Sequence, residues 1–401
     1  MTAAAPTPAS TTGVVDLDAL TADDLRARGT AKWSRYPADV IPLWVAEMDF
    51  PTAPVVLDAV RRALDRESLG YPLDAQRSGV ADALAGWYER EHGWALDPAR
   101  IVLVPNVVKG VGLALETVCA DAPVVIPTPA YMPFFDVVHL RGLDHVPVPM
   151  VRAGDGAGAP WSLDLPGIDA ALAAGARTVI LCQPHNPLGH VHTREELLGL
   201  ADVVERHGAR VVSDEIHAPL VLEGRHLPYA ALSAATARHT VTVVSASKAW
   251  NVPGLTCAQL VTSNDDDQEA FSRLPHEKLI GVGTLGIAAN VAAYEDGGPW
   301  MAQVRERLDA NRLLVAEAVA SWPGVEHRTN EATYLAWLDL TGLGLDEEPA
   351  AWLLREARVA LNDGVPFGAP AHRFARLNYA TTAPLLDEAL TRIGRAVARR
   401  G

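Results

Sequence analysis

Lys248 sits in Ser245-Ala246-Ser247-Lys248, where the apolar run through Val241, Val243 and Val244 stops. Upstream, Asn186-Pro187-Leu188-Gly189 and Asp214-Glu215-Ile216-His217 each follow a short apolar run of their own. An amide, a carboxylate and an amine, delivered in that order to the ends of buried strands, are the groups a pyridoxal phosphate site requires. The amine forms the Schiff base, the carboxylate keeps the ring nitrogen protonated and the amide contacts the phenolic oxygen. Once released by substrate, Lys248 also serves as the proton-transfer base. That role needs burial and nearby positive charge to lower its pKa.

Further polar residues fall at neighbouring strand ends. Asn106-Val107-Val108 follows Ile101–Val104 and opens an apolar helix, so Asn106 as N-cap leaves the Val107 and Val108 N–H groups for a phosphate. Ser245 and Ser247 offer hydroxyls to the same group. Tyr131, beyond Val124-Val125-Ile126, could stack on a pyridine ring. His217 could reach the phenolic oxygen. Arg376, at the start of Arg376-Leu377-Asn378, could clamp a substrate carboxylate with two bonds. Taken singly, each has a plainer reading: a helix cap for Asn106 or Asp214, a wedged core ring for Tyr131, an Asn-Pro turn for Asn186, a packed loop histidine for His217, a surface ion pair for Arg376. The series carries the weight.

The elements that must position these groups alternate between strand and helix. Strand candidates are Ile101–Val104, Val124–Ile126, His145–Val148, Thr178–Cys182, Arg210–Val212, Val241–Ser245 and Ala258–Val261. Several are nearly continuous apolar runs, the pattern of a mostly parallel sheet covered by helices on both faces. A helix is expected from Pro51 to Arg66, and Thr193 with Glu196 forms a capping box. From about Pro299 the pattern changes to a long helix (Met301 to Ser321), a strand (Tyr334–Leu338), a helix (Glu348–Ala357) and a closing strand (Arg376–Tyr379).

The fold class is therefore α/β, with a mostly parallel seven-stranded sheet in a large domain and a smaller α+β domain. The expected division is a disordered tail over 1–12, an N-terminal segment over 13–50 packing with the small domain, a large cofactor-binding domain over 51–295 and a small domain over 296–401.

With 401 residues, 49% of them hydrophobic, the chain can bury a large core. Its net charge of -15 argues against nucleic acid and anionic membrane as partners. Cys119, Cys182 and Cys257 all lie in apolar stretches, which reads as buried free thiols in a reducing cytoplasm. Every apolar stretch is interrupted by Pro or charge, so no bilayer span is expected. The Ala/Pro/Thr-rich start reads as a frayed tail and not as a signal peptide.

The chain from about Gly29 to about Thr382 resembles the fold type I, aspartate-aminotransferase-like superfamily of pyridoxal-phosphate enzymes, with its PLP-dependent transferase-like fold. It is most similar in wording to the MalY/PatB-type cystathionine β-lyases. Five stretches carry that resemblance: Lys32-Trp33, Leu43-Trp44-Val45-Ala46-Glu47-Met48-Asp49-Phe50, Leu69-Gly70-Tyr71-Pro72, Ser213-Asp214-Glu215-Ile216-His217, and Ser247-Lys248 with Asn251.

The resemblance implies that Lys248 is the Schiff-base lysine, Asp214 pairs with the pyridine nitrogen, Asn186 binds the phenolic oxygen and Tyr131 stacks on the ring. Val107, Val108, Ser245 and Ser247 would line the phosphate. Tyr71 would reach the phosphate of the other subunit, making a homodimer necessary for a complete site. Arg376, with Asn186 and the Ala46 backbone, would bind the substrate α-carboxylate. Three positions depart from the wider pattern. Thr256 stands where aminotransferases often place an arginine eight residues after the lysine, which agrees with the lyase branch. His190 and His192 replace an Arg and an aromatic. Such a pair raises the question of a metal, but without a carboxylate pattern nearby they read as solvated loop residues, and no metal is expected.

The expected reaction is α,β-elimination on L-cystathionine or an L-cysteine S-conjugate, giving a thiol, pyruvate and ammonia. An aminotransferase would use the same residues, and no side chain separates the two readings cleanly. A natural-product tailoring lyase acting on a bulky conjugate is a third reading, with Trp44, Trp250 and Tyr131 lining a roomy pocket. A regulatory binding protein is disfavoured by the intact Lys248, Asp214, Asn186 and Arg376. A fused transcription factor is not expected, because no DNA-binding extension precedes the domain.

Overall fold

The computed structural model describes residues 15–152, 154, 159–368 and 372–400, so the tail expected over 1–12 lies outside the described residues. The β-branched runs build one seven-stranded sheet. In chain order its strands are β1 (Ile101–Val104), β2 (Val124–Thr128), β3 (His145–Pro149), β4 (Thr178–Cys182), β5 (Arg210–Asp214), β6 (Thr240–Val244) and β7 (Ala258–Thr262). Across the sheet they run β1-β7-β6-β5-β4-β2-β3. From β3 to β6 all pairings are parallel, while β7 runs antiparallel to both β1 and β6. Every residue of β2, β4, β6 and β7 is buried, as helices on both faces require.

One seam in this sheet matters for function. The β2–β3 ladder continues to Thr128, but the β2–β4 ladder stops at Val125, short of Pro127, which has no N–H to offer. The strand order also reverses here, with β3 on one side of β2 and β4 to β6 on the other. In open α/β sheets the crevice outside the carboxyl ends of the strands at such a reversal is where ligands bind.

A second, antiparallel sheet joins Glu326–His327, Leu335–Asp339, Phe374–Asn378 and Asn362–Asp363 in that spatial order. The helices Gly298–Ala320, Pro349–Glu356 and Ala383–Arg400 pack around it. Ile41–Pro42 pairs in parallel with Val359–Ala360, which draws the Leu43 to Phe50 stretch in beside this sheet.

Element limits differ from the sequence expectation by a few residues. The first long helix runs Pro54–Asp65, because Pro54 at its first position sets the start. The closing strand begins two residues early, at Phe374, whose ring stacks on Trp337 with centroids 5.3 Å apart. Cys182 and Cys257 are buried, but Cys119 is partly exposed. Among the described residues no helix is long and apolar enough to cross a membrane.

Candidate active site

Asp214 is the last residue of β5, in register with Cys182 of β4 and Val243 of β6. The chain leaving β6 turns sharply through Ser245. Its Oγ donates to the Cys257 carbonyl at 2.7 Å and accepts the Ser247 N–H at 3.0 Å. The Asn290 side-chain oxygen takes the Ala246 N–H at 3.2 Å. This braced turn aims Lys248 back over the strand ends, where Nζ donates to the Ala46 carbonyl at 2.8 Å. Ala46, Tyr131, Asn186, Asp214, His217 and Lys248 share the wall of one cavity of about 430 Å³.

The cavity's electrostatics fit a cationic heterocycle. Asp214 is buried and, among the described residues, makes no ion pair; its Oδ1 accepts only the Ile216 N–H, at 3.0 Å. Burial above all pushes its carboxyl up to about 7, with a smaller push from Glu215. A buried carboxylate in this state is stabilised by a cation, and a protonated ring nitrogen is such a partner. Burial and then Arg376 hold Lys248 down to about 8, the direction an amine needs to act as nucleophile and base near neutral pH. Burial, Lys248 and Arg376 hold His217 down to about 3, so its imidazole is neutral, and its Nδ1 has no hydrogen-bond partner.

A phosphate-sized corner lies beside these groups. Asn106 caps the helix Val107–Thr117, its Oδ1 accepting the Lys109 N–H at 2.9 Å. The first-turn N–H groups of Val107 and Val108, both on the cavity wall, are therefore available to an anion. Ser247 and Thr256 also line the cavity. Ser245 does too, and its hydroxyl donates to the Cys257 carbonyl, which braces the turn.

Arg376 is buried behind the cavity. Nη1 donates to Asn186 Oδ1 at 3.1 Å and Nη2 to the Trp44 carbonyl at 3.2 Å, while Nε has no partner. Its guanidinium also lies 4.9 Å from the Phe367 ring centroid. Burial holds this guanidinium down to about 10, still charged at neutral pH. Tyr131 packs edge-on against Phe134, and burial raises its hydroxyl pKa.

Sequence reasoning assigned no role to the residues that hold the Trp44 to Met48 loop over the site, though Lys32, Asp49 and Asn251 lie in the stretches that carry the family resemblance. Asn378 shares a strand face with Arg376, two residues away, and donates to the carbonyls of Val45 (2.6 Å) and Glu47 (2.7 Å). Tyr334 donates to the Ala46 carbonyl at 3.2 Å. Asn251 holds Met48 through both its amide N–H and its carbonyl. Lys32 and Asp49 form a buried ion pair at 2.7 Å, and Lys32 also reaches the Glu47 carbonyl at 2.9 Å. The period-two spacing of Arg376 and Asn378 was the available signal for Asn378.

Two expectations need correction, for Trp250 and for the His190–His192 pair. Trp250 does not line the cavity: it is fully buried and its Nε1 donates to the Gly297 carbonyl at 3.2 Å, because Gly297 lets the ring approach the helix end. Within one chain Tyr71 is 97% exposed and lines a surface groove with Thr284 and Ile287, away from Lys248. His190 and His192 are not solvated: both are buried against Glu196, the capping-box acid that the sequence reading assigned to its helix alone.

Comparison with known proteins places the chain in a family. The family profile for aminotransferase class I and II matches residues 38–393. The chain is 38% identical to cystathionine beta-lyase of Corynebacterium glutamicum, over 92% of this chain and 97% of that one. It is 34% identical to cystathionine beta-lyase PatB of Bacillus subtilis, over 90% and 93% respectively. The structure of a PLP-bound C-S lyase from Staphylococcus hominis superposes with a TM-score of 0.86 at 26% identity, covering 96% of this chain and 99% of that one. The chain belongs to the class I and II aminotransferase family, within its pyridoxal-phosphate-dependent carbon–sulfur lyases of the cystathionine β-lyase kind.

Proposed function

We propose that this chain cleaves the Cβ–S bond of L-cystathionine or a related L-cysteine S-conjugate, with water, to give a thiol, pyruvate and ammonia. The observation that carries this reading is the convergence of Lys248, an unpaired buried Asp214 and Asn186 on one cavity backed by Arg376. Pyridoxal phosphate held there supplies an electron-withdrawing ring that stabilises negative charge at the substrate α-carbon. Asp214 would pair with the ring nitrogen and keep it protonated. Asn186 and the neutral His217 would serve the phenolic oxygen, Tyr131 would pack on the ring, and Val107, Val108 and Ser247 would donate to the phosphate.

Lys248 Nζ would hold the cofactor in the resting enzyme, and once free would take the α-proton, which its lowered pKa permits. Arg376 binds the substrate carboxylate beside Asn186 and the Ala46 backbone. The 44–48 loop, pinned by Asn378 and Asn251, excludes water. Thr256 in place of an arginine fits the lyase reading over the aminotransferase one.

The site is completed in a cytoplasmic homodimer, in which Tyr71 of one subunit donates to the phosphate in the other. Mixing Lys248→Ala with Tyr71→Phe chains tests this, since subunit exchange restores activity only if sites are shared. The reaction itself is tested with L-cystathionine, with and without a 2-oxo acid. Thiol and pyruvate formed without acceptor support the lyase; amino transfer that needs the acceptor overturns it.

A further inference from the structure

His190, His192 and Glu196 form a second polar cluster that the proposed reaction does not use. His190 Nε2 lies 2.9 Å from Glu196 Oε2, and His192 Nδ1 lies 3.0 Å from Glu196 Oε1. One ligand atom from each residue falls within 4.8 Å of the others, and all three side chains are buried. The cluster opens onto a cavity of about 520 Å³ whose wall includes Trp161, Arg225 and Glu331.

The ring of His192 is the telling feature. Its side chain has no solvent exposure, its Nε2 has no hydrogen-bond partner among the described residues, and its Nδ1 meets only Glu196 Oε1. A buried imidazole nitrogen left without a partner is destabilising unless something satisfies it. The short, misaligned contact to Glu196 is the relation that two ligands of one ion have, each lone pair turned toward the ion instead of toward the other ligand. In a tetrahedral zinc site, bonds of about 2.0–2.1 Å put neighbouring ligand atoms about 3.3 Å apart, a spacing these three side chains, with ligand atoms within 4.8 Å of one another, reach by closing in on an ion.

The surroundings match what such a centre needs. His190 Nδ1 lies 3.2 Å from Glu331 Oε2, so a carboxylate on the far side of the ring fixes the tautomer that leaves Nε2 free to ligate. Glu331 is itself held by the Val191 N–H at 2.8 Å and by Arg328. Glu196 keeps its orientation through the Leu163 N–H at 2.6 Å and the Thr193 N–H at 3.2 Å.

We propose that His190, His192 and Glu196 bind one transition-metal dication, Zn²⁺ by preference, with the fourth position open to the cavity. The ion also clamps the segment that carries Asn186. The His185 N–H donates to the His190 carbonyl at 2.9 Å and the Gly189 N–H to the His185 carbonyl at 2.7 Å, so the 185–190 loop closes on itself next to the ligands. Added at Gly189, a Cβ would lie 2.3 Å from Asn330 Cβ, which locks the loop against the segment bearing Glu331.

The test uses untagged holoenzyme titrated with Zn²⁺ against a chromophoric chelator. One Zn²⁺ per chain is expected, and its affinity falls at least tenfold in His192→Gln and in Glu196→Gln. Lys248→Ala binds the ion as wild type does. Zn²⁺ should raise the thermal midpoint of wild type but not of His192→Gln, and Co²⁺ in its place should give the strong visible bands of a tetrahedral centre. No stoichiometric ion, or binding that survives in both His192→Gln and Glu196→Gln, overturns the proposal. Should Glu196→Gln fail to fold, His192→Gln together with His190→Gln decides the matter by the same affinity measurement.

Discussion

Replacing Asp214 by asparagine should stabilise the apoprotein while destroying its use of the cofactor. The amide oxygen can still accept the Ile216 N–H, so the substitution removes charge and leaves the local hydrogen bond in place. Asp214 titrates at about 7 in the fold against an ordinary 3.8, chiefly because it is buried. The folded chain thus retains a proton that the unfolded chain has released. Apo wild type loses stability as pH rises from about 3.8 to about 7, and above that the loss is constant. A gap of about three pH units corresponds to about 4 kcal/mol. With an unfolding entropy of about 2.1 cal/mol/K per residue, the 401-residue chain should show an apo midpoint roughly 5 °C higher in the variant at pH 8, shrinking to nothing near pH 4. Scanning calorimetry of both apoproteins across that range measures it. Adding pyridoxal phosphate should reverse the order, because only the carboxylate gains a cationic partner. An apo variant with the wild-type midpoint at pH 8, or a difference that does not change with pH, refutes the claim that Asp214 is a buried charge awaiting its counterion.

Lys248→Ala removes the amine that moves the α-proton and should cut pyruvate release by at least about 10²–10⁴-fold, even with cofactor in excess; release at the wild-type rate would end the assignment. Arg376→Gln takes away a charged, two-pronged donor and should lower kcat/KM by about 2–3 kcal/mol, mostly through KM, while leaving the absorbance of bound cofactor unchanged. An unchanged KM would move the carboxylate site elsewhere. Lys32→Met strands Asp49 as an unpaired buried charge, at a cost of about 3–5 kcal/mol. Thermal unfolding of the variant, with Lys32→Met/Asp49→Leu as the partly restored control, separates that penalty from simple loss of packing.

Much of the sheet was legible because its strands are short runs of Val and Ile bounded by turn residues, and that pattern is local. The position of Lys248 after such a run was legible for the same reason, as was the capping of Val107–Thr117 by Asn106. Ser245 shows what local reading omits: its hydroxyl also meets the carbonyl of Cys257, twelve residues on, and so braces the turn that aims Lys248. Trp250 likewise looked like a pocket residue until Gly297 and the neighbouring helices enclosed it. Glu196 fitted its helix cap so well that its proximity to His190 and His192 went unnoticed.

The sequence by itself determined which functional groups the chain carries and the strand ends at which they emerge, because strand pattern, turn type and helix cap depend on near neighbours. Only the tertiary structure decided which of those groups are charged, paired or free. Arg376 meets Asn186 across 190 residues of chain, and Lys248 meets Ala46 across 202. Burial and ionisation are set by such distant contacts, which leave no mark on the residues flanking either partner.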